Sequence, residues 1–474
     1  MRFEILRSAV GDGTAARLGR LAFPQRTPIE TPNFFAVTSR GVVPHITPDN
    51  VAKYGHFGGA YMALEDFNGR SQKDPKSVAP IFSTKPEPDR RLLHTFTSQS
   101  SSLVTVLGPR RIPAVKPAVG NGHNFINIFA STGFQNLTIE EYISNTKTLR
   151  PDIAIPLADI IYGATRTAQS SRAVRQAERT EDWMYEWTRA FEDDTKPSDI
   201  AVFAPTLPVP YPVQWEYLNR VSSDFIGSIS GLAIYDVDII PDLKDYPSLL
   251  PLPRLSLDLP NSPHQILRQI ALGVDVILPP FINTISDAGV ALAFTFPPPS
   301  SANGMLPLGD DMTSPDNEAA LQPLREGCSC YACKKHHRAY LNHLLNAREM
   351  LAWTLLQVHN HQVLADFFAD IRASLARGPE AFEEDCRRFA MVYEPDLPAG
   401  MGQRPRARGY HFKSEASDEK INKPAWGKFG GEVDTAAPSL PGVPRDMTET
   451  PLIPDEDSKA LEKEGFAEID RKGP

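Results

Sequence analysis

Three of the chain's four cysteines fall in one short stretch, Cys328-Ser329-Cys330-Tyr331-Ala332-Cys333. Cys-x-Cys-x2-Cys spacing brings three thiolates to one point, and a single imidazole then closes a tetrahedron around a zinc ion. The competing reading, buried thiols or a redox pair, fits less well. Cysteines this scarce and this clustered point to metal or catalysis rather than to a disulfide framework. His336, His337, His343, His359 and His361 all follow. His336 comes so soon after Cys333 that it would have to fold back over the metal. His359 ends a run in which Leu341, Leu344, Leu345, Arg348, Leu351, Leu355 and Val358 recur three and four apart, as in a helix with one buried face. A helix returning its C-terminal end toward the cysteines holds a ligand more firmly than a loop does. That favours His359, although spacing alone does not choose. Three thiolates and one imidazole leave no coordination position for water, so one Zn2+ held by Cys328, Cys330, Cys333 and His359 would be structural.

A basic run starts at once: Lys334-Lys335-His336-His337-Arg338. It can meet RNA phosphates, or be the solvated start of a helix. The chain's net charge of −9 argues against a nucleic-acid binder held by bulk electrostatics. RNA contact therefore has to come from a local patch such as Lys334, Lys335 and Arg338.

These residues need a frame. The 474 residues suffice for one large domain plus extras, or for two to three ordinary domains, and 41% of them are hydrophobic. No apolar run approaches the length of a membrane span. Glu4 and Asp12 near the start, without an apolar segment, read as neither secretory signal nor transit peptide. The few cysteines fit a reducing compartment. From about residue 20 to 300, short apolar runs alternate with helical segments. Asp152–Asp159, Ile200–Ala204, Ile226–Tyr235, Val274–Leu278 and Ala291–Phe296 read as strands of a parallel sheet covered on both faces. Ser262-Pro263-His264-Gln265 supplies an N-cap, a first-turn proline and a capping-box glutamine, and Gly273 stops that helix. Thr138 with Glu141 makes a second box. Such alternation means a parallel α/β fold, closed or open. The absence of an early glycine-rich phosphate fingerprint weakens the dinucleotide-binding version. Prolines number 44, about twice the usual share of ~5%. Many lie after about residue 394, where few branched apolar residues remain. That tail cannot offset its ordering entropy and reads as largely disordered, with a short amphipathic helix over Ser458–Ile469.

The cysteine stretch, the words from Arg338 to Leu351 and His359-Asn360 together resemble the zinc lobe of the tRNA-guanine transglycosylases (queuine tRNA-ribosyltransferases), which exchange an anticodon guanine for queuine or its precursor. Further matches follow in that family's order: Thr27–Phe34, Ser131–Gln135, Ser230–Ile234 and Ala271–Asp275. The resemblance runs from near the N-terminus to about residue 378. It implies a (β/α)8 TIM-type barrel over residues 1–300, a zinc-binding lobe with following helices over 301–378, the end of the folded region over 379–393, and the tail over 394–474. It also points to two catalytic aspartates, one opening a DSGGFQ-type motif and one in an FDxxxP-type motif after a GVD strand. Ala130 and Leu278 stand at those positions, and an alkyl side chain neither attacks a sugar nor moves a proton. Asp275 belongs to the GVD match itself and is not the nucleophile. Asp287 is the only spare carboxylate nearby. Asp159 matches a family aspartate that reads the purine, and Gly231 a pocket glycine. The family's GIVQGG segment corresponds loosely to Val202–Pro208, without its glutamine.

The resemblance thus implies a non-catalytic member that forms a heterodimer with the catalytic subunit of queuine tRNA-ribosyltransferase and helps hold the tRNA anticodon arm. It further implies a cytoplasmic complex, peripheral at the mitochondrial outer membrane. Tyr340 and Trp353 are the expected partner anchors if they point outward. Two rivals remain at this stage: an active transglycosylase with relocated carboxylates, and a zinc-dependent scaffold with no RNA role.

Overall fold

The computed structural model describes residues 1–401 apart from 9–14, 70–77, 86, 88–89, 118–119, 163–169, 193–198 and 301–303. The chain opens with an antiparallel sheet, β1 (Arg2–Ser8), β2 (Arg17–Ala22) and β3 (Ile29–Thr31). The barrel follows. Its first strand is split into β4 (Asn33–Phe34) and β5 (Ala36–Val37), with β6 (Gly59–Ala63) and β7 (Val104–Gly108) next. An antiparallel hairpin, β8 (Phe125–Ala130) and β9 (Gly133–Thr138), is inserted after β7. The barrel resumes with β10 (Ile153–Ala154), β11 (Ala201–Thr206), β12 (Gly231–Ile234), β13 (Arg254–Ser256) and β14 (Val276–Ile277). Every barrel pairing is parallel, in the order β4-β14-β13-β12-β11-β10-β7-β6-β5. Only Phe35 separates β4 from β5, and its N–H donates to Ile277 O at 3.0 Å. The two segments are therefore one bent strand, and the ring closes with eight.

Helices α1 (Pro48–Tyr54), α2 (Pro80–Ser83), α3 (Leu92–Thr97), α4 (Ile139–Leu149), α5 (Ser170–Glu192), α6 (Tyr211–Ser223), α7 (Pro263–Ala271) and α8 (Phe281–Asp287) lie between the strands. A 3-10 turn over Val237–Asp245 replaces a helix between β12 and β13. Alternate strand residues such as Val106, Phe203, Leu255 and Val276 fill the barrel interior, while their neighbours face the helix layer. Leu21, Phe23 and Ile29 of the N-terminal sheet join the interior cluster. Beside them Arg17 and Asp275, both fully buried, pair at 2.6 Å. The Arg17 guanidinium also donates to Leu250 O and Leu252 O, and Asp275 accepts from Arg254 N at 2.8 Å. The aspartate of the GVD match thus ties the N-terminal sheet to the barrel.

Thr138 caps α4, accepting from Glu141 N. The Ser262 side chain makes no cap bond. Gln265 reaches back to Asn261 N instead, and Gly273 takes φ +93 as the stop requires.

Ala291–Phe296 is not a barrel strand: β15 (Val290–Leu292) pairs antiparallel with β16 (Gly309–Asp311). This ribbon, with α9 (Tyr331–Lys335), α10 (Arg338–Asn346), α11 (Met350–Arg377) and α12 (Pro379–Val392), builds the C-terminal lobe. Its core is continuous with the barrel's outer layer. The single helix expected from Arg338 to His359 is broken. Arg348 takes φ +57, α10 stops at Asn346 and α11 restarts at Met350. No glycine or proline lies in the break, so periodicity does not announce it. Residues 394–401 still belong to the fold: Glu394 N donates to Leu306 O and Met401 N to Ala288 O. The remaining tail, with Ser458–Ile469, lies outside the described residues.

Candidate functional site

Gly327, at φ +72, turns the chain into the cysteines. Cys330 is the N-cap of α9, its Sγ accepting from Cys333 N at 3.3 Å, so the helix start and the ligand turn are one structure. His359 arrives from the third turn of α11, which runs on to Arg377; it is an interior position rather than the helix end expected. Its Nε2 donates to Leu292 O at 2.9 Å, leaving the Nδ1 lone pair toward the sulfurs. Nδ1 lies 3.7, 3.5 and 3.4 Å from the Sγ atoms of Cys328, Cys330 and Cys333, and all four donor atoms fall within 4.8 Å of one another. A tetrahedral ion with bonds of about 2.3 Å to sulfur and about 2.0 Å to nitrogen needs sulfur–nitrogen separations of roughly 3.5 Å. The donors fit a metal ion.

With no ion between them, the thiols and the imidazole perturb one another. Hydrogen bonds with Cys330 and Cys333 draw the Cys328 thiol far below the usual range, and hydrogen bonds with Cys328 and Cys333 push Cys330 far above it. Burial opposes charge on His359, but the hydrogen bonds to Cys328 and Cys333 outweigh it and raise the imidazole to about 9. Neighbouring thiols cannot all ionise unaided, and a central cation removes that conflict.

Asn360, the other half of the His-Asn pair, has a role that residue spacing did not reveal. Its Oδ1 accepts from Leu292 N, and its Nδ2 donates to Ser286 Oγ and Val290 O, at 2.9–3.0 Å. It clamps α11 to β15 and so aims His359. Lys334 and Lys335 are exposed on α9. Arg338 is occupied: it pairs with Asp310 at 2.8 Å and donates to Pro323 O and Leu324 O. Tyr340 is half-buried and stacked on His336 at 5.0 Å. Trp353 does not point outward. It is buried, and its Nε1 donates to Asp287 O, while Leu351 of the same stripe is exposed.

At the C-terminal mouth of the barrel, Ala130 ends β8 and Leu278 sits in the interior cluster, both buried. Around them is a buried polar network, of which the residue pattern pointed only to Asp159. Glu65 accepts from Arg111 N and Nε at 2.7 Å and from Phe129 N at 2.9 Å. Arg110 donates to Asn127 O and Asn121 Oδ1, its guanidinium 5.1 Å from the Tyr162 ring centroid. Asp159 is buried and engaged, by Asn121 Nδ2 at 2.7 Å and Arg179 at 3.0 Å. Gly231 opens β12 facing the Phe203 ring, which a Cβ would meet at 2.6 Å. Asp287 is held by His45 Nε2 at 2.6 Å. The apolar residues of its helix α8 belong to the barrel's outer layer, so this carboxylate does not replace one at Leu278.

An eight-stranded parallel barrel with a Cys3His lobe, and with alkyl groups at the two matched catalytic positions, defines a narrow class of protein. The sequence profile described as Queuine tRNA-ribosyltransferase matches residues 12–395, and the chain belongs to that family. It is 35% identical over 426 residues to the "Queuine tRNA-ribosyltransferase accessory subunit 2" of Schizosaccharomyces pombe, covering 88% of this chain and 91% of the relative. The protein of the same name from Anopheles gambiae is 26% identical over 76% of this chain and 85% of its own length. That of Drosophila virilis is 26% identical over 78% and 89%. Among the described residues no helix is long and apolar enough to cross a membrane.

Proposed function

We propose that this chain is the non-catalytic accessory subunit of a heterodimeric queuine tRNA-ribosyltransferase. In this reading it supports the exchange of guanine for queuine at the anticodon wobble position by pairing with a catalytic subunit and helping to hold the tRNA anticodon arm. The observation that carries the reading is the replacement of both catalytic carboxylates, by Ala130 and Leu278, on a barrel whose metal lobe keeps its full donor set. Three thiolates and an imidazole favour Zn2+, and four protein donors make it structural. Zinc would join α9 to α11 and supply no chemistry to the reaction. Exposed Lys334 and Lys335 are the tRNA-phosphate contacts of choice. Arg338 is set aside because Asp310 already pairs with it. Asp159 and Gly231 act as supports of the mouth rather than as a base pocket, since Arg179 and the Phe203 ring already occupy them. The complex is assigned to the cytoplasm, with peripheral attachment to the mitochondrial outer membrane; subcellular fractionation tests this. The deciding experiment is co-purification with a catalytic subunit, followed by base-exchange assays on each chain and on the pair. The isolated chain should be inactive and the pair active, and Asp287→Asn should leave the pair unchanged. Exchange by this chain alone, abolished by that substitution, would overturn the assignment. Salt-insensitive binding of tRNA by the pair, unaltered by removing Lys334 and Lys335, would favour a scaffold without an RNA role.

A further inference from the structure

The three thiols of the donor cluster differ in their reach to solvent. Cys328 and Cys330 are buried, whereas Cys333 is half-buried. Cys330 also lines a cleft of about 350 Å3, so a small polar oxidant has a route to both ends of the Cys330-x2-Cys333 pair. That pair is arranged for a bond between its sulfurs. Cys330 is the N-cap of α9 and Cys333 lies in the first turn, with Cys330 Sγ accepting from Cys333 N at 3.3 Å. Residues three apart at a helix start have Cα atoms about 5 Å apart, inside the range of about 4.4–6.8 Å that a disulfide bridges. All four donor atoms lie within 4.8 Å of one another, so side-chain rotation is enough to join the two sulfurs. The other two donors are held from elsewhere. Cys328 follows the turn at Gly327, ahead of α9, and His359 is fixed within α11 by its bond to Leu292 O. Those two donors by themselves do not fill a tetrahedral site. Cys386, the fourth cysteine, is on α12 and outside the cluster.

We propose that the cluster is a peroxide-sensitive switch, in which Cys330 and Cys333 exchange their metal ion for a disulfide. The proposal rests on the zinc reading above and adds regulation to it. The half-buried Cys333 thiolate attacks one oxygen of hydrogen peroxide. The O–O bond breaks, hydroxide leaves and is protonated to water, and Cys333 becomes a sulfenic acid. Cys330 then attacks that sulfur. The S–S bond forms, the S–O bond breaks, and a second hydroxide leaves and is protonated. Two thiolates lose two electrons in all, one peroxide gains them, solvent supplies two protons and two waters form. Oxidation leaves α9 tied to itself and no longer to His359 on α11, so the lobe loosens, because metal binding and folding of such a lobe are coupled. A dithiol reductant reopens the disulfide by exchange and restores the donor set. In a reducing compartment such a disulfide forms only under oxidant and is transient.

The test uses the full-length chain. Metal analysis of the reduced protein comes first. One zinc per chain is the starting point; its absence brings down the zinc reading and the switch together. Hydrogen peroxide is then titrated in, zinc release is followed with a chromogenic chelator, and disulfides are located by alkylation and peptide mass spectrometry. The expected result is one zinc lost for each Cys330–Cys333 disulfide formed, with Cys328 and Cys386 still open to alkylation. Zinc should bind again after dithiothreitol and fresh Zn2+. Cys333→His keeps four donors and removes the disulfide, so it should hold its zinc at peroxide concentrations that strip the wild type. Cys386→Ser should release zinc as the wild type does. Where Cys333→His takes up no metal, the wild-type disulfide map and its stoichiometry decide. The switch is overturned, and the zinc reading stands, if peroxide leaves zinc bound and both cysteines reduced. It is equally overturned if zinc leaves with the sulfurs in sulfinic or sulfonic form that reductant does not reverse, or if the disulfide contains Cys328 or Cys386.

Discussion

Replacing Asp275 by alanine separates a catalytic from a structural role for the aspartate beside the emptied nucleophile position. In the fold, Asp275 accepts from Arg17 Nε at 2.9 Å, Arg17 Nη2 at 2.6 Å and Arg254 N at 2.8 Å, and neither it nor Arg17 reaches solvent. Asp275→Ala leaves the Arg17 charge buried without a counter-charge, held by the Leu250 and Leu252 carbonyls and the face of the Phe3 ring. Removing one member of a buried ion pair costs about 3–5 kcal/mol. An unfolding entropy of about 2.1 cal/mol/K per residue over the ~400 residues of the folded body gives roughly 0.8 kcal/mol per degree, and thus a fall in Tm of about 4–6 °C. Calorimetry of wild type, Asp275→Ala, Arg17→Met and the double variant Arg17→Met with Asp275→Leu measures it. The double variant should recover most of the loss, because a buried pair is replaced at little cost by apolar residues of similar volume. Heterodimer base exchange, assayed well below the transition, should be unchanged in all of them. A variant with unaltered Tm and abolished exchange would refute the structural role and give Asp275 a place in the reaction.

Cys330→Ser and His359→Ala should each reduce zinc from one ion per chain toward none and speed proteolysis of the C-terminal lobe, since binding and lobe folding are coupled; metal analysis with limited proteolysis reads both. Burial lifts the Asp66 carboxyl to about 6 against the opposing pull of Arg111. The folded pKa lies above the unfolded value near 3.8, so this group's contribution is fully present below about pH 4 and is lost as pH rises through about 6. A shift of about two pKa units corresponds to about 3 kcal/mol. Asp66→Asn should remove that part of the pH dependence, seen as the wild-type-minus-variant difference in urea midpoints at pH 4 and pH 7. Tyr340→Ala with Leu351→Ala should weaken the heterodimer in sedimentation while leaving the chain's Tm nearly unchanged. Trp353→Ala should instead lower stability by about 3–5 kcal/mol, because that ring is core.

The Cys3His donor cluster was the part of this protein most legible in its residues. Thiol chemistry is carried by residue type, and Cys-x-Cys-x2-Cys is a local spacing that a single turn and helix cap realise. Parallel α/β alternation was legible for the same reason: strand and helix periodicities are written within each segment. The choice of His359 needed more. It rests on the Leu292 carbonyl, which reaches His359 from β15, and on the bonds that Asn360 of α11 makes across to β15, contacts that no local spacing shows. Closure of the barrel depended on β14 meeting β4, a contact between residues more than two hundred positions apart. The break at Arg348, the burial of Trp353 and the move of Ala291–Leu292 from barrel to ribbon were decided by which surfaces the lobe buries against α8 and β16. The pairs Arg17–Asp275 and Arg111–Glu65 are of the same kind. Each charge looks like an ordinary surface residue in the linear chain, and only the fold removes both from water and makes one the condition for burying the other.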